Sequence, residues 1–348
     1  MLDRQTKILG SLLAASVADA MGCCTENGSI ETIQKYFGGL CTDIVDMPEG
    51  SFPHGGSKKG VVTDDFSIAY YSAEQFLKDG AVTEEGAKKA VVRWFDEPDS
   101  KYIRYAGPTS RKAYNRIMGI PIPWTKQDNL VTRNREASNG AAMKVGVIGL
   151  LNAGNVDKAI DEAIIMCKVT HDNAIALSGA CAIAAATAKA MEDGVSWIEV
   201  VEAGFYGARE GYRRSYPITF GTCGAMIDRR MEYAIDLGLQ YQDDFDKAMK
   251  NLSKIIGTGL PANEADPAAF GNITAVKGDA WKTIIMSVNA GDDTDTVGCM
   301  AGFIGGALEG PGELKEKYLD LINNENNFDL EQMARDIDAY LSKGGGIR

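Results

Sequence analysis

Two short acidic segments carry the residues best able to do chemistry. One is Thr63-Asp64-Asp65, immediately before an apolar stretch that begins at Phe66. The other is Asp292-Asp293-Thr294-Asp295-Thr296, immediately before an Ala- and Gly-rich stretch that runs to Leu308. In both, hydroxyls and carboxylates stand at the expected N-terminus of a helix whose body reads as buried. Capping by Asp or Thr, favoured by the positive end of the helix dipole, explains one or two acids per helix. It does not explain Asp292, Asp293 and Asp295 together ahead of a buried helix. At an effective dielectric near 20, two like charges about 4 Å apart repel by roughly 4 kcal/mol. Withdrawing them from water costs more. A neutralised acid or a bound cation removes the conflict. The donors are hard oxygens with no Cys or His beside them, which selects Mg²⁺, Mn²⁺ or Ca²⁺ over Zn²⁺ or copper. Neighbouring and i,i+2 acids cannot all aim at one point, so two ions bridged by shared carboxylates suit the pattern. Such a pair, about 3.5–4 Å apart, can activate water and stabilise a leaving oxygen.

The elements that must position these segments read as helices almost throughout. Apolar periodicity predicts helices over 3–22, 66–79, 84–95, 109–118, 139–153, 156–168, 172–192, 196–211, 226–237, 242–255, 277–289, 294–308 and 329–342. Asp172 or Asn173 can cap the helix that reaches Met191, and Gly194 follows it. The segments 38–62, 119–138 and 257–275 hold Gly and Pro and read as loops. Strand-like alternation is confined to Gly60–Val62, too short to found a sheet. The expected fold is therefore all-α, with 1–348 as a single domain, since no linker, repeat or low-complexity tract divides the chain.

Composition narrows the partners. The 348 residues carry 36 Lys and Arg against 48 Asp and Glu, a net charge of -12, which disfavours nucleic acid and anionic membranes. No stretch reaches the roughly 20 apolar residues of a membrane span. Seven cysteines, an odd number with no Cys-x-x-Cys pair, point to free thiols and a cytoplasmic setting. Two histidines, His54 and His171, leave little room for zinc or triad chemistry. Residues 1–20 imitate a signal peptide ending in Ala18-Asp19-Ala20, but Asp3, Asp19 and the fourfold spacing of Gly10, Ala14 and Ala18 favour a closely packed core helix. Asp243-Asp244-Phe245-Asp246 and the Tyr- and Arg-rich stretch 205–235 read as solvated helix faces. Asp293-Thr294-Asp295-Thr296-Val297 also fits the D-x-D-x-[TV] signature of haloacid-dehalogenase-type phosphatases. About fifty residues follow it, too few for the rest of that α/β sheet.

With both acidic segments in place, the chain resembles the ADP-ribosylglycohydrolase family, which includes the dinitrogenase-reductase-activating glycohydrolases. Six blocks fall in the family's order. They are Ile8–Leu12 with Ala18-Asp19-Ala20-Met21-Gly22, then Thr63-Asp64-Asp65, Gly107-Pro108-Thr109, Ser138-Asn139-Gly140-Ala141-Ala142-Met143-Lys144, Thr170-His171 and Gly291–Ala301. Phe66, Lys144, Ala18 and Asp292 depart from the usual Thr, Arg, Gly and Gly. Lys144 keeps the charge but loses the bidentate fork of Arg.

The resemblance implies an all-α orthogonal helical bundle that binds two Mg²⁺ ions, with Mn²⁺ able to substitute. It implies Thr63, Asp64, Asp65, Asp293, Asp295 and Thr296 as metal ligands, with Glu26 at the rim as ligand or gate. Gly107, Pro108, Thr109, Ser138, Asn139, Gly140, Met143 and His171 would contact substrate, with amides at 107–109 and 138–140 meeting phosphates. His54 reads as a loop residue near the site. The implied reaction is hydrolysis at C1 of a ribose, with Asp65 or Asp295 ahead of Glu26 as the acceptor of the water proton. The implied partner is an ADP-ribosylated protein or a small ADP-ribosyl compound, in an oligomeric state the sequence leaves open. A smaller nucleoside or ribosylated metabolite, and a non-catalytic crystallin-like or ADP-ribose-binding role, are the alternatives that membership allows.

Overall fold

The computed structural model describes residues 2–47, 49, 57–97, 101–122, 137–219 and 223–345. His54 lies outside them. In chain order the α-helices are α1 (Arg4–Gly22), α2 (Ile30–Phe37), α3 (Asp64–Asp79), α4 (Glu84–Asp96), α5 (Pro108–Ile117), α6 (Gly146–Leu151), α7 (Val156–Lys168) and α8 (Ala174–Ala190). They continue with α9 (Trp197–Ser215), α10 (Ile227–Gln240), α11 (Phe245–Asn251), α12 (Ala262–Ala275), α13 (Ala280–Asn289), α14 (Thr294–Glu309), α15 (Leu314–Asn326) and α16 (Leu330–Ser342). Among the described residues there is no strand, only the isolated bridges Met47–Ser57 and Ser138–Pro261. The all-α expectation holds and the phosphatase reading, which needs a parallel sheet, falls. Among the described residues no helix is long and apolar enough to cross a membrane.

Three helices form the centre: α1, α8 and α14 are buried on nearly every side. Their small residues allow this. α1 lies along α14, and Ser11 donates its hydroxyl to the Phe303 carbonyl at 2.6 Å across that seam. A Cβ added at Gly302 would sit 2.6 Å from the Ala14 carbonyl oxygen, so the two backbones are in direct contact. α8 lies against α9 in the same manner, with Ser178 donating to the Ala208 carbonyl at 2.7 Å. The segment that imitates a signal peptide is thus a core helix of the fold. Asn173 caps α8, accepting from the amides of Ile175 and Ala176.

Several sequence boundaries shift. The stretch 257–275 contains a helix, α12, that its prolines hid. Pro261 precedes the first turn, where a missing N–H costs nothing. Pro267 lies inside the helix and leaves the Asn263 carbonyl without its usual donor. Arg230 fills that role from α10, donating to the Asn263 oxygen at 3.0 Å. α2 and α15 also stand where no helix was expected. The stretch 139–153 divides into a 3₁₀ turn at Asn139–Ala141 and the short α6. Residues 242–255 divide into α11 and a π-helical turn, Leu252–Ile256. The Tyr- and Arg-rich stretch is an outer face, as expected, with Arg214 bridging Asp157, Asp161 and Glu210.

Two outcomes follow. Gly302→Ala, which would stabilise an ordinary exposed helix by up to about 1 kcal/mol, should instead destabilise this protein by about 1–3 kcal/mol through overpacking, read in denaturant unfolding. Asp266 on α12 is fully buried, and neither of its carboxylate oxygens has a hydrogen-bond partner. Burial raises its pKa well above the ordinary range, with Asp293 adding to the effect. The native state therefore holds a proton that the unfolded chain loses above about pH 4. Stability conferred by the neutral acid is lost as pH rises from there towards its native pKa. Asp266→Asn should gain stability relative to the parent as pH climbs from 4 to 8; equal pH slopes for the two would refute this.

Candidate active site

α3 and α14 begin side by side, and α1 sets that arrangement. Asp19 on α1 is fully buried, accepting from the Thr63 amide at 2.8 Å with Oδ1 and from the Phe66 amide at 2.9 Å with Oδ2. Asp19 therefore caps α3 from a different helix. The Thr63 hydroxyl completes the cap by accepting from the Asp65 amide at 3.3 Å. Those amides are thus satisfied without the Asp65 side chain, whose Oδ2 has no hydrogen-bond partner. The end of α1 also fixes the start of α14. A Cβ at Gly22 would fall 2.3 Å from the Asp295 Cα, and the Thr294 hydroxyl donates to the Gly22 carbonyl at 3.0 Å. Asn27 and Gly28 pair their backbones with Asp292, which has a φ of 62°, and this ties the Glu26 segment to the same point.

These constraints bring the acids together. One carboxylate oxygen each from Glu26, Asp293 and Asp295 lies within 4.8 Å of the others, with Asp295 buried and the other two half-buried. Asp64, Asp65 and Thr296 stand on the same wall of a cavity of about 640 Å³. Burial pushes the carboxyls of Asp64, Asp65, Asp293 and Asp295 above the ordinary carboxylate range, and their mutual repulsion adds to it. Asp65 Oδ2 is buried and has no hydrogen-bond partner. An orphaned buried carboxylate oxygen beside three convergent ones is what a hard cation would satisfy. The donor set therefore fits a divalent metal.

The same cavity also has donors in its lining. Ser138, Asn139, Gly140, Met143 and His171 line it with Gly107, Pro108 and Thr109. Asn139 donates Nδ2–H to Asp293 Oδ2 at 2.7 Å. Its amide is spent on the Leu260 carbonyl at 3.0 Å, so it is not a phosphate donor as the sequence suggested. Gly107 precedes α5 and gives it no side-chain cap, and since Pro108 has no N–H the first-turn amides are those of Thr109 and Ser110, two residues that line the cavity. His171 is buried, hydrogen-bonded through Nε2 to the Ser138 hydroxyl at 3.0 Å and through Nδ1 to the Thr170 hydroxyl at 2.8 Å. Burial drops its pKa well below the ordinary range, aided by Lys144, so the ring is neutral.

Of the sequence candidates, only Thr63 is absent from the cavity wall. Phe66 turns into the core, stacked 5.8 Å from Phe303, and has no place among the ligands. Lys144 also turns inward. Sequence reasoning gave Asp19 no role, because a cap supplied by another helix has no local pattern. It also passed over Arg104, Tyr105, Ser110 and Lys112, which line the cavity within a few residues of Gly107. A small cluster of cations beside a Gly-Pro step in an acidic chain was the available signal.

An all-α scaffold thus brings carboxylates from two helix starts to a cavity that hydrogen-bond donors also line. The ADP-ribosylglycohydrolase family model matches residues 1–345, and the chain belongs to that family. The uncharacterized protein YegU of Escherichia coli (strain K12) is 28% identical over 337 residues, covering 96% of this chain and 97% of that one. An uncharacterized protein of Archaeoglobus fulgidus is 28% identical over 303 residues, covering 87% and 88%. The fold also matches a solved ADP-ribosylglycohydrolase-related protein complex, with a TM-score of 0.62 and 21% identity over 97% of this chain and 98% of that one. Membership suggests glycosidase activity.

Because the clustered acids retain protons when no cation is bound, metal binding should release them. Titration calorimetry with Mg²⁺ or Mn²⁺ in buffers of different ionisation enthalpy should show net proton release that shrinks as pH rises from 6 to 9. The Asp295→Asn protein should bind at least about 10-fold more weakly.

Proposed function

We propose that this protein is a divalent-metal-dependent hydrolase that cleaves the bond between ribose C1 of an ADP-ribosyl group and its acceptor, a protein side chain or a small molecule. The observation that carries this reading is that one cavity is lined both by the clustered carboxylates and by hydrogen-bond donors and cations. Its volume, about 640 Å³, falls within the roughly 300–1,000 Å³ of small-molecule sites.

Two Mg²⁺ ions, or Mn²⁺ in their place, would be held by Asp64, Asp65, Asp293, Asp295 and Thr296, with Glu26 at the rim. Thr63 stands at the head of α3 with a second lone pair on its capping oxygen. When bound, the ions polarise a water and offset most of the charge of the carboxylates. Asp65, whose Oδ2 lacks a protein donor, or Asp295 would take the water proton. About one net negative charge remains when the five carboxylates face two divalent ions, and it favours the positive charge that develops at C1. In the same cavity the first-turn amides of α5, the Ser138 hydroxyl, Arg104 and Lys112 suit the phosphates of the ADP moiety. They supply local attraction within a chain whose overall charge of -12 repels anions.

A panel of ADP-ribosyl-arginine, ADP-ribosyl-serine, O-acetyl-ADP-ribose and simple nucleosides, each with and without Mg²⁺, tests the reading. Metal-dependent release of ADP-ribose from at least one of the first three is expected. Turnover of nucleosides alone would move the assignment to a smaller substrate. Tight ADP-ribose binding without any turnover would make the protein a binder. Asp293→Ala should lower kcat by at least about 100-fold with an unchanged circular dichroism spectrum, and full activity in that variant contradicts the proposed site.

A further inference from the structure

The Lys144 side chain is 2% exposed, behind the cavity lining, and donates from Nζ to the Thr170 hydroxyl at 2.8 Å. The same Thr170 oxygen lies 2.8 Å from His171 Nδ1, and His171 Nε2 lies 3.0 Å from the Ser138 hydroxyl. We infer that Lys144 is a positioning residue: through Thr170 it fixes His171 as the Nε2–H tautomer, so that the Ser138 hydroxyl presents its proton to the substrate.

An ammonium has three donors and no acceptor. Thr170 Oγ1 therefore accepts from Lys144 and has one proton of its own to give. Two acceptors compete for it, His171 Nδ1 at 2.8 Å and the Cys167 carbonyl at 3.2 Å. The shorter contact favours Nδ1. The cation adds a second reason, since an imidazole N–H directed at an oxygen already loaded by an ammonium would set two positive ends together. The Nδ1 lone pair faces the cation instead. Burial lowers the Lys144 pKa, opposed in part by Cys167 first and then by Asp64 and Asp65. With Nδ1 accepting, the ring proton resides on Nε2 and is donated to Ser138 Oγ. Ser138 lines the cavity, so its own hydroxyl proton is directed to an acceptor there. Gly140 leaves the room this requires, because a Cβ at that position would come within 2.9 Å of His171 Nε2.

The outcome is a donor at the cavity surface whose supporting positive charge is sealed beneath it. With Nε2–H directed at its oxygen, the Ser138 hydroxyl keeps its own proton for an acceptor in the cavity, such as a phosphate oxygen. That last step rests on the proposed hydrolysis of a phosphate-bearing ribosyl substrate. The tautomer does not.

The chain has two histidines, so long-range ¹H–¹⁵N correlation of histidine-labelled full-length protein gives two imidazole patterns, and His54→Gln assigns them. His171 should be the Nε2–H tautomer at neutral pH. The Nδ1–H tautomer or an imidazolium in the parent protein overturns the inference, whether or not any substrate is turned over. Thr170→Ser should keep the tautomer, while Thr170→Val and Lys144→Met should populate both forms; an unchanged spectrum in folded Thr170→Val also counts against it. On an ADP-ribosyl substrate, Lys144→Met and Ser138→Ala should each raise KM about 10-fold with kcat within about 2-fold, and the double variant should be no worse than either single one. Additive losses, or a loss in kcat alone, would mean that Lys144 acts elsewhere. An inactive parent with the expected tautomer would fault the substrate assignment and leave the relay standing.

Discussion

The structure depends on a single constraint: two helices must start next to each other while both starts carry carboxylates. Left to themselves, these acids would separate. The apposition is held by α1, which is buried from Lys7 to Gly22, packs along α14 and reaches α3 through Asp19. The close approach at Gly302 and Gly22 leaves little freedom in that seam. Packing energy spread along a helix thus maintains an electrostatically unfavourable cluster at its end, a conflict that a bound cation would relieve.

The same economy of charge governs the rest of the cavity. The chain is acidic overall, yet its cavity must receive anionic groups if the substrate bears phosphates. The fold meets this with Arg104 and Lys112 in the cavity lining, the head of α5, a hydroxyl at Ser138 and a further cation, Lys144, buried behind them. Asn139 joins the donors to the carboxylates, since it bonds Asp293 while its backbone is pinned to Leu260. Movement of either set is therefore felt by the other.

The two prolines of α12 illustrate why local rules fail in a core of this kind. Pro267 breaks the rule against proline in a helix interior, but Arg230 supplies the hydrogen bond that the ring removes. That compensation comes from α10, more than thirty residues earlier, and no window of sequence contains it. The helical reading of 66–79 and 294–308 succeeded because those segments are apolar on most faces and have clear N-terminal punctuation. The reading of 139–153 overran because a 3₁₀ turn and a short helix share the same small-residue composition.

The sequence by itself determined the all-α class, the hard-oxygen character of the two acidic segments and the order of blocks that places the chain among ADP-ribosylglycohydrolases. Residue type and spacing carry those properties, because period and ligand chemistry are local. Only the tertiary structure decided that Thr296 faces the cavity while Thr294 bonds back to Gly22. It also decided that Asp19 is a cap, that Lys144 acts from behind the wall and that Asp65 keeps an unsatisfied oxygen. Each of these depends on which distant backbone lies against the residue, and that is set by the packing of whole helices.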